Sequence, residues 1–220
     1  MPNPLRVAIE IGPKGKKVVA VARDWPGLSR GAANEELALK RLQSYVPRYQ
    51  SIAKRAGLAL DVAEAEVVER YSGTGSTDFW GISFAYSEFD YEPMSAVELE
   101  RELSLMHACW AEFDAIAGRV SAELRKGPRG GGRDRDRIVR HTIGVEIDWR
   151  KNLGLTPLDD LPLSEEALRA HRESYCAAIR SRHETKTHTG KSPLRYLIRH
   201  TAFHTMDHAW EMEDKDLTGS

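Results

Sequence analysis

Three of the chain's eight histidines, His200, His204 and His208, recur at four-residue spacing in the stretch SPLRYLIRHTAFHTMDHAWEMED, residues 192–214. Successive residues of an α-helix turn by about 100°, so these rings descend one face, drifting by about 40° at each step. Two imidazoles at i and i+4 bring their ring nitrogens close enough to share a metal ion, the arrangement that an H-x-x-x-H helix offers to zinc. Such a pair is half a site. A catalytic metal centre commonly takes a third protein ligand and leaves a position open for water or substrate, so another helix has to contribute. A lone imidazole on a helix is more often a hydrogen-bonded core or surface group, and that reading fits His107 and His200 taken singly. Paired rings on an inward face would repel when protonated and need partners when neutral, and a metal resolves both.

The elements that must position these rings fall into two groups. Over 5–12 the chain alternates, with Val7, Ile9 and Ile11 on one side, and 17–22 is rich in β-branched residues; both read as strands joined by the turn GPKGKK. Trp25-Pro26-Gly27 is a turn signal leading through Ser29-Arg30-Gly31 to Asn34, an N-cap for a helix over 35–56 whose first part Pro47 is expected to kink or end. Residues 63–71 and 79–86 read as further strands. The glycines of GTGSTDFWGISFAYSEF, residues 73–89, lack phosphate-loop spacing and no Gly-Lys-Ser/Thr follows, so a nucleotide cradle is not expected. Its aromatic residues are expected to pack the sheet against the second domain.

After Glu92-Pro93 the character changes. Ser95 and Glu98 form a capping box opening a helix that keeps its apolar period to about Arg125. KGPRGGGRDRDR interrupts it. A second helix starts near Asp134 or Asp136 and ends at Asn152-Leu153-Gly154; a third runs from the Ser164 cap to about Arg182; the fourth is the histidine-bearing one. The expected class is therefore α+β, a small N-terminal α+β sheet domain over 1–92 followed by an all-α four-helix bundle over 93–220. Ligands in a bundle project inward from facing helices. His183 lies at a helix end and His171 beside exposed charges, so both read as surface residues, and His188 sits in a polar connection. His107 and His141 remain as partners for the pair, and periodicity does not choose between them.

Two stretches carry a family likeness. DWPGLSRGAANEELALKRL, within residues 5–70, resembles the strand-turn-helix segment of HicB-like antitoxin domains, which implies an interaction module. GGRDRDRIVRHTIGVEIDWRKNLG taken with LRYLIRHTAFHTMDHAWEMED resembles the DinB superfamily over residues 95–214. That likeness implies a divalent metal held by one histidine of the second helix and two of the last, which fall on His141, His204 and His208. His200 is an additional histidine one turn before the pair. Zinc is the first choice of metal, with nickel or iron as alternatives, because three imidazoles suit several ions. Asp207 and Glu211 lie near the pair and could orient a ligand ring through its other nitrogen. The implied activity is that of a metal-dependent enzyme, a transferase activating a low-molecular-weight thiol or a hydrolase activating water on a small-molecule substrate. The other reading is a non-catalytic interaction protein with a structural metal and a partner-binding N-terminal module. Bundles of this kind often pair through helix faces, which keeps a homodimer open.

Composition narrows the alternatives. With 220 residues, 41% hydrophobic and 30% charged, the chain has the make-up of a folded protein, and no apolar run approaches the roughly 18 residues of a membrane span. The start MPNPLRVAIEIG lacks a basic segment followed by a long apolar core, so a cytoplasmic location is expected. A formal charge of −1 gives no whole-chain attraction to nucleic acid. A local basic run, Arg125 to Arg140, is broken by Asp134 and Asp136 and has no interleaved aromatic residues, which counts against nucleic-acid binding. Cys109 and Cys176 stand far apart in helical patterns and read as buried free thiols.

Overall fold

The computed structural model describes residues 3–127, 132–186 and 192–218 and is of mixed α+β class, an N-terminal four-stranded sheet followed by helices. His188 and Arg129 lie outside the described residues. The strands are β1 (Asn3–Ile11), β2 (Val18–Ala22), β3 (Ser29–Ala32) and β4 (Val62–Ser72), in the sheet order β3-β2-β1-β4. The first three form an antiparallel meander, whereas β4 lies parallel to β1, with Val7 opposite Val67. A parallel neighbour needs a crossover, and α1 (Glu35–Arg55) supplies it. Its buried Ala38, Leu42, Tyr49 and Ile52 join Leu5, Val7 and Ile9 of the sheet in the core.

The structure corrects three local expectations. Ser29-Arg30-Gly31 forms β3 rather than a connection. Helix α1 runs unbroken through Pro47. Residues 79–86 are not a strand: α2 (Gly75–Trp80) opens with a Thr74/Thr77 capping box and ends at Gly81 in the left-handed region. The chain beyond is drawn onto the buried Glu10 carboxylate, which accepts from the Ser83 hydroxyl at 2.6 Å and from the amides of Phe84 and Ala85, each at 3.3 Å. A buried carboxylate needs such donors, and this tertiary demand overrides the β-propensity of the segment. The aromatic residues divide accordingly. Tyr86 and Phe84, though partly open to solvent, meet Tyr196 and His200 edge-on and Phe89 is buried, whereas Phe79, Trp80 and Tyr91 are far more exposed.

Helices α3 (Ala96–Arg119), α4 (Arg135–Arg150), α5 (Glu165–Thr185) and α6 (Leu194–Asp214) complete the chain. Helix α3 stops six residues before the expected Arg125, because Asp216 near the chain end takes the amide of Ser121 at 2.8 Å. Fifteen of the twenty-one residues of α6 are buried, so neighbours cover it on nearly every side, and its two buried arginines must be paired. Arg199 Nε donates to Asp90 at 2.6 Å, and Arg195 bonds Glu102 of α3. The hydrophobic core is one continuous cluster running from the sheet and α1 into α3, α5 and α6. Gly27 sits where these parts meet. Its φ is +97°, and a Cβ there would lie 3.0 Å from Cys109 Sγ and 3.2 Å from Met206. Among the described residues no helix is long and apolar enough to cross a membrane, and both cysteines are buried and free.

Candidate metal centre

Helix α4 carries His141 on its second turn, and α6 carries His204 and His208 one turn apart; α4 packs against α6, so the three rings meet. One ligand atom from each lies within 4.8 Å of the other two. Ring centroids are separated by 5.2 Å for His141 and His204, 5.0 Å for His141 and His208, and 4.7 Å for His204 and His208. These are the three histidines expected from the sequence, and among the described residues they form the one group of this kind.

The protonation chemistry of the rings favours ligation. A metal needs a neutral imidazole with a free lone pair. Burial pushes the pKa of His204 well below that of a free histidine, and the neighbouring His208, His200 and His141 push it further down. Burial also lowers His141, with help from the Arg133 guanidinium and His208. His208 is oriented from outside: its Nδ1 lies 2.9 Å from Glu211 Oε2, and Lys215 Nζ holds the other carboxylate oxygen at 2.6 Å. The hydrogen bond from His208, together with Lys215, draws Glu211 down to about 2, so it stays an anion. An anionic acceptor at Nδ1 places the proton there and leaves Nε2 as the lone-pair nitrogen. Asp207, the other carboxylate expected to help, instead pairs with Arg30 of β3 at 3.1 Å.

Other histidines are excluded by geometry. His200 turns away from the triad into an aromatic pocket, stacked on Tyr196 at 4.9 Å and flanked by Phe84 at 4.6 Å and Trp149 at 4.7 Å. It is 3% exposed, and neither ring nitrogen reaches a hydrogen-bond partner at normal distance. Burial and the charge of Arg199 depress its pKa to about 3. His107 faces α5, with Nε2 3.4 Å from Cys176 Sγ. His171, expected at the surface, is buried. Its Nδ1 accepts from Arg150 Nη1 at 3.0 Å, since a guanidinium has nothing to accept with, and Nε2 faces Glu146 at 3.5 Å. Trp110 of α3 donates to the same glutamate at 3.0 Å. The inward place of Glu146 was legible in the i, i+4, i+8 stripe of Ile138, Thr142 and Glu146.

A cavity of about 410 Å³ opens beside His141, walled by Gly144, Asp148, Leu158, Asp160 and Leu161. Two residues before Leu158, the Thr156 carbonyl accepts from Arg150 Nε at 3.1 Å. The arrangement thus offers three imidazole nitrogens at one point, an anionic acceptor behind one ring, and space next to another. No protein family, no curated protein and no solved structure matches this chain.

Proposed function

We propose that the chain is a DinB-like metal-dependent enzyme in which His141, His204 and His208 hold one divalent cation, zinc first and nickel or iron as alternatives, with α3 to α6 forming a four-helix bundle around it. The observation that carries this reading is the convergence of three ligand atoms within 4.8 Å, from two helices, beside a cavity. The donor set fits such an ion: burial holds His141 and His204 neutral, and the Glu211 carboxylate takes the Nδ1 side of His208, which keeps Nε2 available. Three protein ligands leave room for a reactant, and the bound cation would supply a Lewis acid that lowers the pKa of water or of a low-molecular-weight thiol to near neutrality. The protein's own part is to exclude water on the Trp149 and His200 side and to admit a small-molecule substrate through the cavity at His141.

A second reading is favoured by one observation. Phe79, Trp80 and Tyr91 are each about two-thirds exposed on the N-terminal part, which suits a partner-binding module of the HicB-like kind with a merely structural metal in the helices. The two readings separate on coordination. Elemental analysis of protein purified without a histidine tag, and of His141→Ala and His204→Ala, is expected to give one ion per chain in the parent and loss in both variants. Full occupancy in both variants would remove the assignment. X-ray absorption showing a fourth protein ligand in place of a light-atom solvent ligand would favour the structural role.

A further inference from the structure

A second cavity, about 350 Å³, shares no lining residue with the histidine cluster and lies where the start of the sheet meets the first turns of α3 and α6. Its inner wall is made by Arg23, Arg101, Arg195 and Glu102, with Trp25 and Phe89 as apolar surface. Arg195 and Glu102 are 4% and 5% exposed, and Arg23 and Arg101 are partly buried. Asp61, Glu98 and Arg6 are exposed and stand at the rim, where water screens them, and Arg6 pairs with the partly buried Asp24. With Asp24 answered by Arg6, the protected part of the cavity carries three further guanidinium groups against the Glu102 carboxylate.

The pairing of these groups leaves positive charge over. Glu102 answers Arg195, and the Glu102 Oε2 and Arg195 Nε atoms are both buried without a hydrogen-bond partner. Arg23 reaches only the half-exposed Glu92, at 3.1 Å, and its Nε is likewise buried and unpartnered. Arg101 donates to a neutral acceptor, the Asp24 carbonyl, at 2.7 Å, and it forms no ion pair among the described residues, although Glu102 feels its charge. Phe89 gathers two of the three: the Arg23 and Arg195 carbons Cζ lie 4.0 and 4.1 Å from its ring centroid, one guanidinium from the turn after β2 and one from α6. Arg101 lies over Trp25 at 4.9 Å. Converging like charges in a half-dry cavity are costly by themselves, and planar guanidinium groups are suited to grip an oxyanion bidentately.

We propose that this cavity binds a small oxyanion-bearing ligand, with its carboxylate or phosphate group between Arg23, Arg101 and Arg195 and its apolar body against Phe89 and Trp25. The ligand bridges the sheet to α3 and α6, and the site is independent of the histidine cluster. The test is calorimetric titration of the full-length protein at fixed ionic strength with benzoate, inorganic phosphate and, as controls of equal shape, benzylamine and benzyl alcohol. Benzoate or phosphate is expected to bind at least tenfold more tightly than either control, and the tighter of the two identifies the head group as carboxylate or phosphate. Arg101→Gln, which leaves the buried Arg195–Glu102 pair intact, is expected to weaken that binding by about tenfold, as loss of one charged hydrogen bond does. Nitrogen-15 spectra of the unaltered protein provide a readout that needs no variant: the side-chain Nε signals of Arg23, Arg101 and Arg195 should move with the anion. Equal binding of benzoate, phosphate and both controls would overturn the proposal, as would titration shifts that leave those three signals in place.

Discussion

Replacing Glu211 with glutamine removes the anionic acceptor behind His208 while keeping its size. Glu211 Oε2 lies 2.9 Å from His208 Nδ1, and Lys215 holds Oε1 at 2.6 Å, so the carboxylate is fixed at both ends. Such supporting carboxylates typically account for about 10- to 100-fold in metal affinity. An ion at about 100 times its dissociation constant stabilises the native state by about 2.7 kcal/mol. For a chain of 220 residues that is a rise in Tm of about 5–11 °C. At the same metal concentration, Glu211→Gln is expected to retain about 0.4–1.4 kcal/mol, no more than about half the parent's shift. Differential scanning fluorimetry with and without zinc reads this directly. Asp207→Asn is the control, because Asp207 faces Arg30 rather than a ligand ring: it should lower the starting Tm yet keep the full metal-induced rise. An undiminished shift in Glu211→Gln, or an equal loss in both variants, would refute the reasoning that His208 is a ligand oriented by Glu211.

Acid should destabilise the protein through its buried neutral histidines. His200 takes up its proton near pH 3 when folded and near 6.5 when unfolded, so between those values the unfolded chain binds more protons and stability falls as pH falls. From pH 6.5 to 5 this one residue accounts for about 1.6 kcal/mol, and His200→Phe should flatten urea-derived stability over that window by that amount; an unchanged slope would show that the ring is not held neutral. Asp90→Asn leaves Arg199 buried without its counter-charge and should cost about 3–5 kcal/mol in chemical denaturation, whereas a loss under about 1 kcal/mol would mean the pair is solvated. Gly27→Ala meets both a left-handed φ and the Cys109 sulfur at 3.0 Å, and should cost about 1–3 kcal/mol; a neutral result would show that the 25–28 turn gives way freely.

Local chemistry made much of this protein legible in its sequence. The Ser95/Glu98 capping box and the Asn34 cap set where α3 and α1 begin, and Gly154 marks the end of the turn after α4, because each satisfies backbone groups within a few residues. The four-residue spacing of His204 and His208 put both rings on one helical face, whatever that helix packed against. What no local rule contained was the choice between His107 and His141: both lie on amphipathic helices, and only the packing of α4 against α6 brings His141 within 4.8 Å of the pair while His107 turns to Cys176. Tertiary pairing likewise decided the fate of residues 79–86, which gave up strand geometry to satisfy the buried Glu10, and of His171, whose apparent surface place was overruled by Glu146 and Arg150. The early end of α3 is set by Asp216, nearly a hundred residues further along the chain. A buried charge recruits its partners through space without regard to distance along the chain, and sequence periodicity carries no record of that demand.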